Sequence, residues 1–102
     1  MITAIVRFTM PEAMPLESFT ELSEGNAPLY KGMKGLVRKY YVRSDDGLQV
    51  GGVYLWESRE AAEAVYTDEW RERVTGAYGS APTIDWFDSP VVVDNRHNEI
   101  VT

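Results

Sequence analysis

Residues 2–9 alternate cleanly between two faces. Ile2, Ala4, Val6 and Phe8 fall on one side, and Thr3, Ile5, Arg7 and Thr9 on the other. A period of two predicts a strand with one wholly apolar face. Met10-Pro11-Glu12 ends it, because Pro11 has no amide hydrogen to give a ladder. Pro15 suits a first helical position. From there Leu16, Phe19, Leu22 and Ala27 recur at helical spacing, with Glu17, Glu21 and Glu24 on the outer side. Early acids also suit the positive end of a helix. Gly25 and Asn26 weaken the helix, and Pro28 predicts a stop, a kink or a second short turn.

Gly32 and Gly35 bracket the entrance to a second strand over 36–44. Asp45-Asp46-Gly47 then signals a tight hairpin, since Asp-Gly tolerates positive φ. A third strand spans 48–56, and its Gly51-Gly52 pair predicts a bulge or a close approach by another group. Ser58 is a good N-cap for a helix through Ala61 to Tyr66. Thr67-Asp68 breaks it and caps a second piece, Glu69 to Ala77, which Gly79 ends. Pro82 to Val93 reads as the last strand, with Pro90 predicting either an edge or a strand broken in two. Asp94 to Thr102 is polar, either frayed or wrapped onto a partner.

The order is β-α-β-β-α-β, without repeats or linkers. It predicts a ferredoxin-like α+β fold, in which one face of a four-stranded antiparallel sheet carries the helices. Residues 1–95 are expected to form a single domain, and 96–102 a polar C-terminal tail. The free sheet face is apolar on strand after strand, with Ile5 on strand one and either Val37 and Tyr41 or Leu36 and Tyr40 on strand two. A sheet apolar on both faces needs a cover. The expected cover is a second copy, giving a homodimer in the form of a dimeric α+β barrel.

Length supports that expectation, because 102 residues bury a modest core. No cysteine is present, which removes disulfides and thiolate metal sites and suits a reducing compartment. A net charge of −6 argues against nucleic acid and against anionic membrane as partners. No apolar run approaches a membrane span. Met1-Ile2-Thr3-Ala4 lacks the features of a secretory signal, so the protein is expected to be cytoplasmic.

Several runs resemble the YdhR-like monooxygenase family. They are Gly35-Leu36-Val37-Arg38-Lys39-Tyr40-Tyr41, Gly51-Gly52-Val53-Tyr54-Leu55-Trp56-Glu57-Ser58, Tyr66-Thr67-Asp68-Glu69-Trp70, and Thr83 to Asn95 around Trp86-Phe87-Asp88-Ser89-Pro90. The resemblance covers nearly the whole chain. It implies a dimeric α+β barrel related to the wider antibiotic biosynthesis monooxygenase group. In that group a histidine commonly follows the Trp-Glu-Ser start of the second helix, and the place falls on Val65 here. The haem-degrading relatives use a first-strand asparagine and a helix histidine, and those places fall on Arg7 and Val74. Neither residue ligates iron, so haem degradation is not expected.

The remaining chemistry is sparse. His97 is the one histidine, and it reads as a solvated tail residue. A metal would depend on carboxylates, which favour hard ions. No phosphate-cradling loop and no nucleophile elbow is present. Aromatic residues make up 12% of the chain, enough to fill a core and interface or to line a pocket for a flat organic ligand. A cofactor-free oxygenation fits such a pocket. An electron-rich phenol or quinol loses a proton, and its anion passes an electron to dioxygen. The protein needs a dry aromatic cavity, a cation near the oxyanion and a proton-moving group.

Trp56, Tyr66, Trp70 and Trp86 are the candidates for the substrate-binding wall. Arg38 is the candidate cation, and Tyr40 or Tyr54 the candidate proton carrier. Each has a plainer alternative. Arg38 can pair with Glu57 or Asp85, the tyrosines can be cross-strand pairs, and the tryptophans can be core. The expected function is a cofactor-independent monooxygenase acting on an aromatic, quinol-like or polycyclic small molecule in a pocket between helices and sheet. No cofactor and no metal is expected. The rival is a non-catalytic small-molecule-binding or stress-related dimer.

Overall fold

A computed structural model describes every residue from Met1 to Thr102. Strand β1 (Ile2–Thr9) runs antiparallel between β3 (Gln49–Trp56) and β4 (Thr83–Asp88), with β2 (Leu36–Arg43) at the edge beyond β3. Helices α1 (Leu16–Asn26), α2 (Arg59–Val65) and α3 (Asp68–Tyr78) complete the β-α-β-β-α-β order, the second helical segment being split in two. The alternation of β1 selects the buried face: Ala4, Val6 and Phe8 join Val50, Tyr54 and Trp56 of β3 in one core with Phe19, Ala62, Trp70 and Val74 of the helices.

Local chemistry explains the boundaries. Ser58 Oγ accepts from the Ala61 amide at 3.1 Å, and Thr67 Oγ1 accepts from the Trp70 amide at 3.2 Å, so each hydroxyl caps its helix. Gly79 ends α3 in the left-handed region at φ 76°. Pro28 starts neither a long helix nor a kink but a single 3-10 turn, Ala27–Leu29. In the β2–β3 loop, Gly47 takes φ 72°, and Asp46 Oδ1 accepts from the Ser44 hydroxyl and the Leu48 amide. Leu16, expected on the apolar stripe of α1, is exposed; Phe19 anchors that helix.

Two features depart from strict alternation. Register through Gly51 and Gly52 is unbroken, and the irregularity lies instead in β2, between Leu36 and Arg38. Both glycines mark close approaches: a Cβ on Gly51 would sit 1.9 Å from the Val6 carbonyl oxygen, and one on Gly52 would sit 3.1 Å from Lys39 Cε. The bulge places Leu36 and Tyr41 on the helix-covered face and Tyr40 on the other, so neither pairing expected for strand two holds. Finally, Pro90 cuts the last strand. Val92–Asp94 (β5) pairs with Glu99–Val101 (β6) in a separate hairpin, so the segment from Asp94 onward is not frayed.

The open sheet face carries Val37, Tyr40, Val42 and Phe87, all exposed. No helix is long and apolar enough to cross a membrane.

Candidate functional site

The aromatic candidates divide along the sheet. Tyr54, Trp56, Tyr66, Trp70 and Trp86 form one cluster on the helix-covered face. Tyr54 stacks on Trp56 with ring centres 5.9 Å apart, and Tyr66 meets Tyr54, Trp56 and Trp86 edge-on at 5.4, 5.7 and 5.7 Å. Tyr66 also lies 4.6 Å from Trp70. Trp56 Nε1 donates to the Tyr66 hydroxyl at 3.1 Å, satisfying two buried polar groups at once. Of this cluster, Tyr54 and Trp70 line the cleft between helices and sheet. Trp56, Tyr66 and Trp86 stand behind them, with the Arg59 guanidinium 3.7 Å over the Trp86 ring.

That cleft is bounded by Phe8, Tyr30, Lys39, Tyr41, Arg73 and Tyr78 as well. About 30 Å³ inside it is free, room for about one water. Lys39 lines it. Its Nζ lies 3.5 Å from the Tyr30 ring centre, 4.0 Å from Tyr41 and 4.5 Å from Tyr54, a cation enclosed by three π faces. The chain's ion pairs are Arg7–Asp85, Arg38–Asp94, Arg59–Glu63 and Asp94–His97, and none includes Lys39. Burial, reinforced by the Arg73 charge, lowers its pKa to about 7.

The hydroxyl of Tyr30 accepts from Trp70 Nε1 at 3.0 Å and from Arg73 at 3.4 Å. Both its lone pairs are engaged, which leaves its own O–H to donate. Tyr41 donates to Asn26 Oδ1 at 2.5 Å. Burial pushes the phenols of Tyr54, Tyr41 and Tyr78 above their ordinary range. They hold their protons more tightly than a solvated tyrosine. A wider groove of about 260 Å³ on the β2 edge shares Tyr30, Lys39 and Tyr41 with the cleft. Lys39 therefore stands in the wall between the interior and solvent.

Arg38 and Tyr40 lie on the opposite, open face. Arg38 donates to the Tyr40 hydroxyl at 3.2 Å and to Asp94 Oδ2 at 2.8 Å, and pairs with neither Glu57 nor Asp85. Asp94 is buried, while Val93, Glu99 and Ile100 of the same hairpin are exposed. It also accepts from the amides of Arg96 and His97 and bonds His97 Nδ1 at 2.8 Å. The His97 bond, then Arg38, hold the Asp94 carboxyl well below its usual range, and Asp94 raises His97 in return. Asp94→Asn is expected to loosen the hairpin, seen as faster amide exchange over 92–101. In the wild type, His97 is charged below its ordinary value and loses that charge as pH rises through its raised value. Exchange is expected to quicken across that window.

Sequence reasoning missed Lys39, Tyr30 and Arg73. The signal was present at Lys39, a lysine among tyrosines on a strand, but the bulge hid which face it takes.

The architecture is shared with solved structures. A monooxygenase from the gene ActVA-Orf6 of Streptomyces coelicolor, solved with nanaomycin D, superposes with a TM-score of 0.67 at 20% identity over 86% of both chains. SnoaB of Streptomyces nogalater, a cofactor-independent oxygenase, gives 0.62 at 20% identity, covering 86% of this chain and 91% of that one. NE2512 of Nitrosomonas europaea, a protein of unknown function, gives 0.64 at 15% identity over 86% and 87%. No protein-family model matches the chain, and no curated protein matches it either. Likeness at these identities establishes the fold, which these oxygenases share; the activity has to be argued from the site.

Proposed function

We propose that this chain is a cofactor-independent monooxygenase, of the YdhR-like and antibiotic biosynthesis monooxygenase-related kind, acting on an electron-rich phenol or quinol. The observation that carries it is one cleft that joins an aromatic wall to two cations, Lys39 and Arg73, with no carboxylate lining it. Such a lining favours a flat, electron-rich ring and stabilises an oxyanion on it. The oxygenases that share the fold support the reading.

The reaction balances with dioxygen alone as oxidant. The phenol loses its proton, and the anion passes one electron to dioxygen. The two radicals join at a hydrogen-bearing ring carbon ortho or para to the oxygen, forming a C–O bond. That carbon then loses its hydrogen as the O–O bond breaks, which leaves a quinone and releases water. One oxygen atom enters the product, the other leaves as water, and the substrate supplies all four electrons.

Tyr54 and Trp70 hold the ring, with Trp56, Tyr66 and Trp86 fixing them from behind. Tyr30 donates to the developing oxyanion. The ring enters from the β2-edge groove, which shares Tyr30, Lys39 and Tyr41 with the cleft. Arg38 and Tyr40 serve the other face. There Val37, Val42 and Phe87 form the surface on which two copies pair sheet to sheet, and Arg38 ties the hairpin to that face. The cysteine-free chain suits a reducing compartment, and we place it in the cytoplasm. The experiment is dioxygen uptake by metal-stripped protein with hydroquinones and anthrone-like phenols, with isotope-labelled dioxygen to show one atom in the product.

A further inference from the structure

We infer that Lys39 is the catalytic base of this cleft: its Nζ, caged by Tyr30, Tyr41 and Tyr54 and lacking a carboxylate partner, takes the proton from the substrate's phenol. The inference rests on the cleft being the reaction chamber. It deepens that reading by restricting the substrate to a compound with an acidic O–H.

The geometry sets Lys39 apart from every other titratable group near the cleft. The β2 edge gives Tyr41 beside it and the always-charged Arg38 at the groove, where Arg38 is paired with Asp94, and β3 gives Tyr54. The segment after α1 gives Tyr30, with Lys31 at the groove mouth, while α3 gives Arg73 and Tyr78. The side of α1 that reaches the cleft gives Leu22 and Asn26, which carry no charge, and β1 gives Phe8. Burial raises the phenols of Tyr41, Tyr54 and Tyr78, and Arg73 is always protonated. Lys39 is thus the one lining group that can exist as a free base near neutral pH. A lysine at its ordinary value would hold about a thousandfold less of that form.

Three further features suit the role. Gly52 leaves the space its methylenes occupy, since a Cβ there would lie 3.1 Å from Lys39 Cε. The π faces around Nζ stabilise the ammonium without neutralising it, so the proton taken remains available. The groove on the β2 edge gives that ammonium a route to water. In the step itself, the amine lone pair forms an N–H bond as the phenol O–H breaks. A neutral pair becomes an ammonium beside a phenolate. The ammonium later returns the proton to the oxygen that leaves as water.

The test uses the full-length protein with carbon-13 at lysine Cε, titrated through the neutral and alkaline range. Lys39→Met identifies the signal, since Lys31 and Lys34 are the other two lysines. A second arm uses 4-nitrophenol, which does not react with dioxygen and whose anion absorbs visible light. Lys39 is expected to titrate near neutrality. Bound 4-nitrophenol is expected to be more ionised than in free solution at mildly acidic pH, and this excess should vanish in Lys39→Met, which removes the charge together with the base. Lys39→Met and Lys39→Arg should each lose about a hundredfold or more in dioxygen uptake.

A Lys39 signal that titrates like the other two lysines overturns the inference, whatever the oxygen traces show. So does uptake retained in Lys39→Arg, which keeps the charge but cannot accept a proton. Neutral titration with phenol ionisation, alongside flat oxygen traces in the wild type, supports the basic amine and overturns the oxygenase reading instead.

Discussion

Trp56→Ala is expected to remove about 3–5 kcal/mol from the stability of this domain. Trp56 is fully buried, stacked on Tyr54 and edge-on to Tyr66. Truncation leaves a cavity at the centre of the aromatic cluster. It also removes the indole N–H that the Tyr66 hydroxyl accepts at 3.1 Å. The rings on either side are held by one another and cannot collapse into the space. Domains of this size have about 5–15 kcal/mol in total, so the thermal midpoint should fall by roughly 15–30 °C. Thermal unfolding followed by circular dichroism checks this. Trp56→Phe, which keeps a ring, should lose much less. A midpoint within a few degrees of wild type for Trp56→Ala would show that the cluster does not depend on its central ring.

Lys39→Met is expected to work in the opposite direction and raise stability at neutral pH. In the unfolded chain Lys39 titrates near 10.5, and in the folded chain at about 7. Between those values the unfolded chain binds a proton that the native state does not. Stability of the wild type should therefore climb as pH rises from 7 toward about 10, and be lowest at and below neutrality. The full difference corresponds to about 4 kcal/mol at pH 7. Partial access through the groove lowers the expected gain to about 3 kcal/mol. The variant should lose the climb. Above about pH 10 both proteins should weaken, because Tyr41, Tyr54, Tyr66 and Tyr78 resist ionisation in the native state. Urea unfolding at several pH values measures the slope. A wild-type curve flat between neutrality and mild alkali would mean that Lys39 is solvated.

The fold was legible wherever its cause is local. Ile2 to Thr9 alternates, and the partner strands simply follow its buried side. Ser58, Thr67 and Gly79 cap helices with their own side chain or backbone, so their places could be read directly from residue type. The break at Pro90 was legible for the same reason. The site was less legible because one irregularity decides it. The bulge between Leu36 and Arg38 puts Leu36 and Lys39, three residues apart, on the same face. Strict alternation puts Arg38 with Leu36 and Tyr40 and puts Lys39 with Val37 and Tyr41, on opposite faces, without saying which face the helices cover. Tyr30 was hidden differently. It lies outside any strand or helix, and only the folded path of the chain brings its hydroxyl to Trp70 and Arg73. Asp94 was hidden in a polar tail that gives no sign of closing into a hairpin around it.

The most direct measurement is dioxygen consumption by purified, metal-stripped protein supplied with an anthrone-like phenol, with heat-denatured protein as the control. Uptake above the control that survives a chelator and yields one quinone per dioxygen is the expected result. Uptake equal to the control with every phenol and quinol tried, despite saturable quenching of tryptophan fluorescence by the same compounds, would contradict it and leave a cleft that binds aromatic molecules without oxidising them.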